Sequence, residues 1–373
     1  MRMAAGRPAF LLFSTFLAGS ILVIGSEQLA YLSSLPGAWF LSLILLAVTA
    51  IPAGIIIYRF DQFEPEPASL IAVAVIWGGL IALTFAALTN SYFLSFLQNH
   101  LSPHTFDAWG AAIVAPIDEE FYKGAGLLVV YLMARSEFDG LMDGLVYGAM
   151  IGLGFQVVEN IQYFLHAAAQ SGGNQLGAVV GTYFVRVVLA GLYSHTLFSG
   201  LMGFGFAYAV TRREVSKQRR YAVAALFAVA AWGAHFVWNS PWLDSLMGQS
   251  TGSFIIAVAI KGVPFLAFLG ILAAFARRRE RQAFDRLIAV EIGTDVLSEA
   301  EFKILENARR RRAALRTIRR NKGPLAKALL RRLQREQMNL ALFHGKVDSP
   351  EHPAMKAQRD KIRTLRARLA ELP

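Results

Sequence analysis

Eight apolar runs, each at least about the twenty residues needed to cross hydrocarbon, leave this chain few ways to fold. They lie near 9–29, 38–58, 70–97, 110–133, 142–167, 178–211, 221–245 and 253–276, with short polar loops between them. An α-helix satisfies its own backbone inside a bilayer, so the expected fold class is all-α, a multi-pass transmembrane helical bundle of about eight spans. The sixth run is too long for one straight perpendicular crossing, so it tilts or bends around Gly191.

Charge divides the chain. Residues 1–276 hold 12 Lys and Arg against 14 Asp and Glu, whereas residues 277–373 hold 25 against 12, so the net charge of +11 belongs to the tail. We read 1–276 as a transmembrane domain and 277–373 as a basic, amphipathic, helical cytoplasmic tail. Arg2, Arg7, Arg59, Arg135, the Arg212–Arg220 cluster and the Arg277–Arg281 cluster fall in alternate loops, and the loops between contain no Lys or Arg. The positive-inside bias then places a multi-pass protein in the cell membrane with both termini cytoplasmic. Only Arg2 and Arg7 precede the first run and no small-residue cleavage site follows it, so an uncleaved first span is expected. The chain has no cysteine, which excludes disulfides, thiolate metal sites and cysteine nucleophiles.

In the tail, Ser298 and Glu301 form a capping box ahead of the basic stretch Arg309–Arg312, and Gly323-Pro324 breaks that helix. Leu325, Leu329 and Leu333, then Ile362, Leu365 and Leu369, recur at helical spacing. Such a surface favours anionic lipid as the tail's partner, ahead of nucleic acid.

The run 110–133 contains Asp118-Glu119-Glu120-Phe121-Tyr122-Lys123. An ionised side chain near mid-span costs roughly 2.5–3.5 kcal/mol on insertion scales, so charges kept there usually face an interior cavity and mark function. Glu119 and Lys123 stand four apart on one helical face, with Glu120 three before the lysine. Later spans carry Phe155-x-x-x-Glu159-Asn160, Ser194-His195-x-x-Phe198 and His235-x-x-x-Asn239. Gly144, Gly148 and Gly152 make a stripe for close helix approach, and Glu159, seven after Gly152, shares nearly that face and should point at protein. Phe155 and Phe198 are expected to shape the pocket by packing. Arg186 and Lys261 lie near outer span ends, where snorkelling is the default reading.

These motifs resemble the PrsW family of intramembrane proteases, related to the group that includes the CAAX prenyl-protein endopeptidases. The resemblance covers residues 110–240: a glutamate pair ending in lysine (Glu119, Glu120, Lys123), a Phe-x-x-x-Glu motif (Phe155, Glu159), then His195 and His235 on later helices, with Asn239 four after the last histidine. The prenyl-protease branch has Glu-Glu-x-x-x-Arg and a histidine where this chain has Glu159. The resemblance implies an intramembrane endopeptidase acting on a membrane protein, such as a membrane-anchored regulator of the anti-sigma-factor kind.

The residue chemistry agrees. Peptide hydrolysis needs a base for water and stabilisation of the oxyanion. Glu119 and Glu120 are the expected centre of water activation. A divalent metal, zinc foremost, suits Glu119, Glu159, His195 and His235 as ligands, and the catalytic set adds Glu120, Lys123 and Asn239. A glutamate-activated water with histidine holding the oxyanion fits the same residues. Two other classes compete: an ion-coupled transporter with a buried Glu/His/Lys relay, although no duplicated halves are seen, and a non-catalytic scaffold.

Overall fold

The computed structural model describes residues 8–63, 66–189, 193–242, 250–347, 349 and 351–372. Arg2, Arg7, Gly191 and residues 246–249 of the last expected external loop lie outside the described residues. The described chain is helical: α1 Pro8–Ser34, α2 Pro36–Tyr58, α3 Ala68–His100, α4 Pro103–Met133, α5 Leu141–Gln170, α6 Gln175–Tyr183, α7 Ser194–Thr211, α8 Lys217–Asn239 and α9 Thr251–Ile288, then α10 Glu299–Leu305, α11 Ala308–Lys346 and α12 Pro353–Ala370.

Among the described residues seven segments are long and apolar enough to cross a membrane, counting Gln175–Thr211 as one. The expected eighth, α4, is 31 residues long but is interrupted by Asp118, Glu119, Glu120 and Lys123. The difference from the expected eight thus comes from the four ionisable side chains of α4.

Local sequence sets the helix starts. Ser102 Oγ accepts from Thr105 N at 3.2 Å with Pro103 in the first turn of α4, and Ser216 Oγ accepts from Arg219 N at 3.3 Å at the start of α8. Segment α6 widens into a π-helical turn, Phe184–Leu189, and α7 begins at Ser194. Between these two described pieces lie Gly191 and its neighbours, so the choice between a tilt and a bend at Gly191 falls outside the described residues.

The chain forms two compact units, residues 1–61 with 66–274, and residues 62–65 with 275–373. In the first, α5 is the central helix: 89% of its most apolar window is buried, against 17% for α1. Glycine makes that burial possible. A Cβ on Gly152 would lie 2.1 Å from His195 O in α7, and one on Gly154 would lie 2.1 Å from Val75 O in α3, so helices approach α5 backbone to backbone on both sides. The Gly144, Gly148 and Gly152 stripe faces α7 throughout.

The second unit has its own core, in which Phe284, Ile288, Leu333, Leu340, Ile362 and Leu365 are buried. Each such side chain contributes about 1.5–3 kcal/mol on burial. Phe63, from the loop after α2, belongs to this core, with its ring centroid 5.2 Å from that of Phe284. Buried Glu291 accepts from His344 Nε2 at 2.8 Å and Arg359 Nη2 at 2.6 Å, tying α11 and α12 to the end of α9. The capping box is present, with Ser298 N donating to Glu301 Oε2 at 2.8 Å and Glu301 N to Ser298 Oγ at 3.3 Å. It starts the short α10, and a separate cap, Asn307, starts the basic helix α11. Gly323 breaks α11 with φ of 83°, a value costly for any residue with a Cβ. The apolar faces of these helices turn toward one another. Leu325, beside the Gly-Pro break, departs from the pattern and is 60% exposed.

Candidate active site

Five helical segments bring the polar residues of the first unit together. Helix α4 is fixed against α3 by Trp77, whose Nε1 donates to Tyr122 O at 2.9 Å over Gly126, where a Cβ would meet the indole at 2.3 Å. Thr89 Oγ1 donates to Asp118 Oδ2 at 2.7 Å. That turns Asp118 toward α3 and leaves Glu119, Glu120 and Lys123 facing the bundle interior, all buried. Helix α7 is fixed one turn from the glycine contact, where Gln156 Nε2 donates to Ser194 Oγ at 3.1 Å. His195 is thus placed by its neighbours on both chain and helix.

At the centre, Glu119 Oε2 lies 3.7 Å from His195 Nδ1 and 4.0 Å from His235 Nε2. Each histidine has a second carboxylate on its other nitrogen. Glu120 Oε1 is 2.9 Å from His235 Nδ1, and Glu159 Oε2 is 3.3 Å from His195 Nε2. Lys123 Nζ donates to Glu120 Oε1 at 2.5 Å, lies 3.0 Å from His195 Nδ1 and 3.5 Å from Glu119 Oε2, and sits 4.5 Å from the Phe155 ring centroid. An amine donates and a carboxylate accepts, so His195 carries its hydrogen on Nε2 and His235 on Nδ1. The nitrogens that face Glu119 are the two with lone pairs. Phe198 stacks on His235 with ring centroids 4.8 Å apart, and Phe155 packs 5.0 Å from His195 and lines the cavity beside it.

This donor set fits a divalent metal. Ligand atoms of Glu119, His195 and His235 all lie within 4.8 Å of one another, and all three residues are buried. Tetrahedral zinc with bonds of about 2.0–2.1 Å sets its ligands about 3.4 Å apart, close to the 3.7 and 4.0 Å seen here. Glu119 Oε2 is buried, makes no hydrogen bond and has Lys123 Nζ as a countercharge at 3.5 Å, so it has acceptor capacity left for a ligand. Glu159 stands outside this group, its Oε2 engaged by His195 and by Arg186 Nη2 at 3.0 Å. A second buried group, Asp61, Glu66 and Asp143, has no histidine, and its oxygens serve other partners: Tyr147 Oη donates to Glu66, and Asp143 Oδ2 accepts from Asp139 N and Gly140 N.

The site opens on a cavity of about 630 Å³ lined by Glu119, His195, His235 and Asn239, among others. Along α5 the lining runs from Phe155 to His166, about 16 Å of helix.

Two expectations are corrected. Arg186 does not snorkel to the interface. Its guanidinium turns inward, 3.5 Å from the Tyr163 ring centroid, with Nε donating to Asn160 Oδ1 at 2.9 Å. Lys261 is also buried, and its Nζ donates to Ser240 O at 2.6 Å, capping the end of the helix that carries His235 and Asn239. The signal that exposed Glu119, a charge inside an apolar run, was present for both residues.

A membrane-embedded bundle with two buried histidines, an unbonded carboxylate oxygen between them and a cavity at their edge is the arrangement of an intramembrane hydrolase. Residues 66–269 match the PrsW family of intramembrane metalloproteases. The chain is similar to Protease PrsW of Geobacillus kaustophilus, 32% identical over 206 residues covering 54% of this chain and 80% of that protein. It is also similar to Protease PrsW of Oceanobacillus iheyensis, 26% identical over 61% of this chain and 89% of that protein, and to that of Bacillus subtilis, 28% identical over 39% and 59%. No solved structure gives a significant match. The chain belongs to the PrsW family of intramembrane metalloproteases. It is an intramembrane protease.

Proposed function

We propose that the protein hydrolyses a peptide bond of a membrane protein, with Glu119, His195 and His235 holding a single zinc ion. The observation that carries this is Glu119 Oε2, buried, without a hydrogen bond, and facing a lone-pair nitrogen of each histidine. Two imidazoles and a carboxylate with room for one more ligand are a catalytic zinc set. When bound, the metal supplies positive charge that polarises a carbonyl and acidifies water.

The chain's own residues do the rest. Glu120 holds His235 through Oε1, and its Oε2 makes no hydrogen bond. That oxygen takes the proton as water attacks the peptide carbonyl carbon, and returns it to the amine as the C–N bond breaks. Lys123 keeps Glu120 in place and offsets the charge of the carboxylate pair. Glu159 orients His195 from behind. Asn239, on the cavity wall, offers an amide to the substrate backbone. A groove of about 16 Å accepts roughly five residues of extended chain at ~3.3 Å each.

A membrane-anchored regulator of the anti-sigma-factor kind is the substrate class we infer, as the resemblance of the Glu119–Lys123, Phe155–Glu159, His195 and His235 motifs to the PrsW family implies. Alternation of Lys and Arg supports termini in the cytoplasm. There the exposed Arg309, Arg310, Arg312, Arg316, Arg319 and Arg320 meet anionic lipid.

The test is incubation of the purified protein with single-span substrates, alongside Glu119→Ala and metal analysis. We expect cleavage and about one zinc per chain in the wild type, and neither in the variant. An active, metal-free preparation would replace the metal by glutamate-activated water, and undiminished cleavage by Glu119→Ala would remove the site altogether.

A further inference from the structure

Arg186 lies in the π-helical turn Phe184–Leu189, and three of its contacts fall within one turn of α5. Nε donates to Asn160 Oδ1 at 2.9 Å, Nη2 donates to Glu159 Oε2 at 3.0 Å, and the guanidinium lies 3.5 Å from the Tyr163 ring centroid. The oxygen that Arg186 holds is the one 3.3 Å from His195 Nε2. A planar fork bonded at two nitrogens and stacked on a ring fixes direction as well as charge, which a lysine cannot do. Glu159 is thereby pinned from one side and presents an acceptor to the other. The hydrogen of His195 is drawn to Nε2, and Nδ1 keeps its lone pair on the side of Lys123 Nζ, 3.0 Å away, and Glu119 Oε2, 3.7 Å away.

We propose that Arg186 is a positioning residue of the hydrolytic site, acting through Glu159 to set the ring orientation and tautomer of His195. The proposal rests on His195 being a site residue, as argued above. It assigns a function to a cation whose plainest role was to reach the membrane surface.

Cleavage kinetics and zinc retention against a competing chelator are compared for wild type, Arg186→Gln, Arg186→Lys, Glu159→Gln and the Arg186→Gln/Glu159→Gln double variant, with thermal unfolding recorded for each. Loss of an outer partner of a ligating histidine costs ~10–100-fold. We expect Arg186→Gln to lose that much in kcat and in zinc affinity, with KM within about twofold. Arg186→Lys should recover part of it, and the double variant should be no worse than Glu159→Gln, since groups acting as one unit are not additive. A rise in KM with kcat unchanged would mean that Arg186 touches substrate directly, and losses that add in the double variant would separate it from Glu159; either result overturns the proposal. If Arg186→Gln does not fold, Arg186→Lys decides, and wild-type kinetics there would refute the role. Glu119→Ala runs in parallel. If it is dead while the Arg186 variants behave as wild type, only this proposal fails, whereas a live Glu119→Ala removes the site reading beneath it.

Discussion

His235 Nδ1 lies 2.9 Å from Glu120 Oε1, and the same oxygen accepts from Lys123 Nζ at 2.5 Å. Glu120 is therefore a brace for a histidine as well as a carboxylate beside the reacting position, and the two roles can be separated. Glu120→Gln keeps an oxygen for both partners but removes the basic site, so kcat should fall by ~10²–10⁴, the usual worth of a general base, with zinc content near that of wild type. Metal analysis with single-turnover cleavage checks this; zinc lost in proportion to activity would make Glu120 a ligand.

Lys123 is the countercharge of two buried carboxylates, at 2.5 Å from Glu120 and 3.5 Å from Glu119. Removing one partner from a buried charged group typically costs 3–5 kcal/mol. Lys123→Met should destabilise the detergent-solubilised protein by about that amount, and Lys123→Met/Glu120→Gln should recover part of the loss. Thermal unfolding of the two variants measures it. Equal Tm for wild type and Lys123→Met would show that the pair carries little charge.

Gly152 lets the His195 carbonyl approach to within 2.1 Å of where a Cβ would stand. Gly152→Ala must push α7 outward, at a cost of ~1–3 kcal/mol for overpacking, and must shift His195 away from Glu119. Cleavage should fall with stability. Gly19→Ala, where a Cβ meets nothing within 4 Å, is the control and should leave both unchanged. An active Gly152→Ala protein of normal Tm would mean that the helices part without consequence.

The tail should bind membranes by charge. From Asn307 to Arg335 there is no acidic residue, and nearby cations gain on the order of 1 kcal/mol each at an anionic surface. Liposomes carrying acidic lipid should pull down the second unit at low salt and release it as salt rises, whereas neutral liposomes should not. Equal capture by both would sink the electrostatic account.

Because the chain has no cysteine, single cysteines report sidedness without background. Residues 137 and 215 should stay protected from an impermeant thiol reagent in intact cells, and residues near 172 should react. External labelling at 137 or 215 would break the proposed orientation.

How much of this was legible follows one physical rule. Glu119, Glu120 and Lys123 were visible because the bilayer makes a charge expensive, and His195 and His235 because their order along the chain matched a pattern. Arg186 and Lys261 obeyed the same rule but were misread. Counting depth along a regular helix placed both near an interface, and a long side chain there has an easy exit; neither the π-helical turn at Phe184–Leu189 nor the carbonyl of Ser240 is visible in the sequence. The tail's amphipathic helices were legible, but what their apolar faces pack against was not. Leucines at helical spacing look the same whether the face meets lipid or another helix, so the shared core of Leu333, Ile362 and Leu365 left no separate trace. Phe63 left none at all, since its partner Phe284 lies beyond every span.

Phe63 has a consequence for parity. A loop residue and a tail that share one folded core must lie on the same side of the bilayer, so the chain between them crosses an even number of times. The candidate crossings from Ala68 to the end of α9 are α3, α5, the α6–α7 segment, α8 and α9, an odd set unless α4 joins it. Helix α4, expected as a span from the sequence but left out of that apolar set by its charges, is thus the one that the arithmetic of the thread requires. A crossing by α4 would make the set even, and it would carry Glu119, Glu120 and Lys123 through the membrane with it.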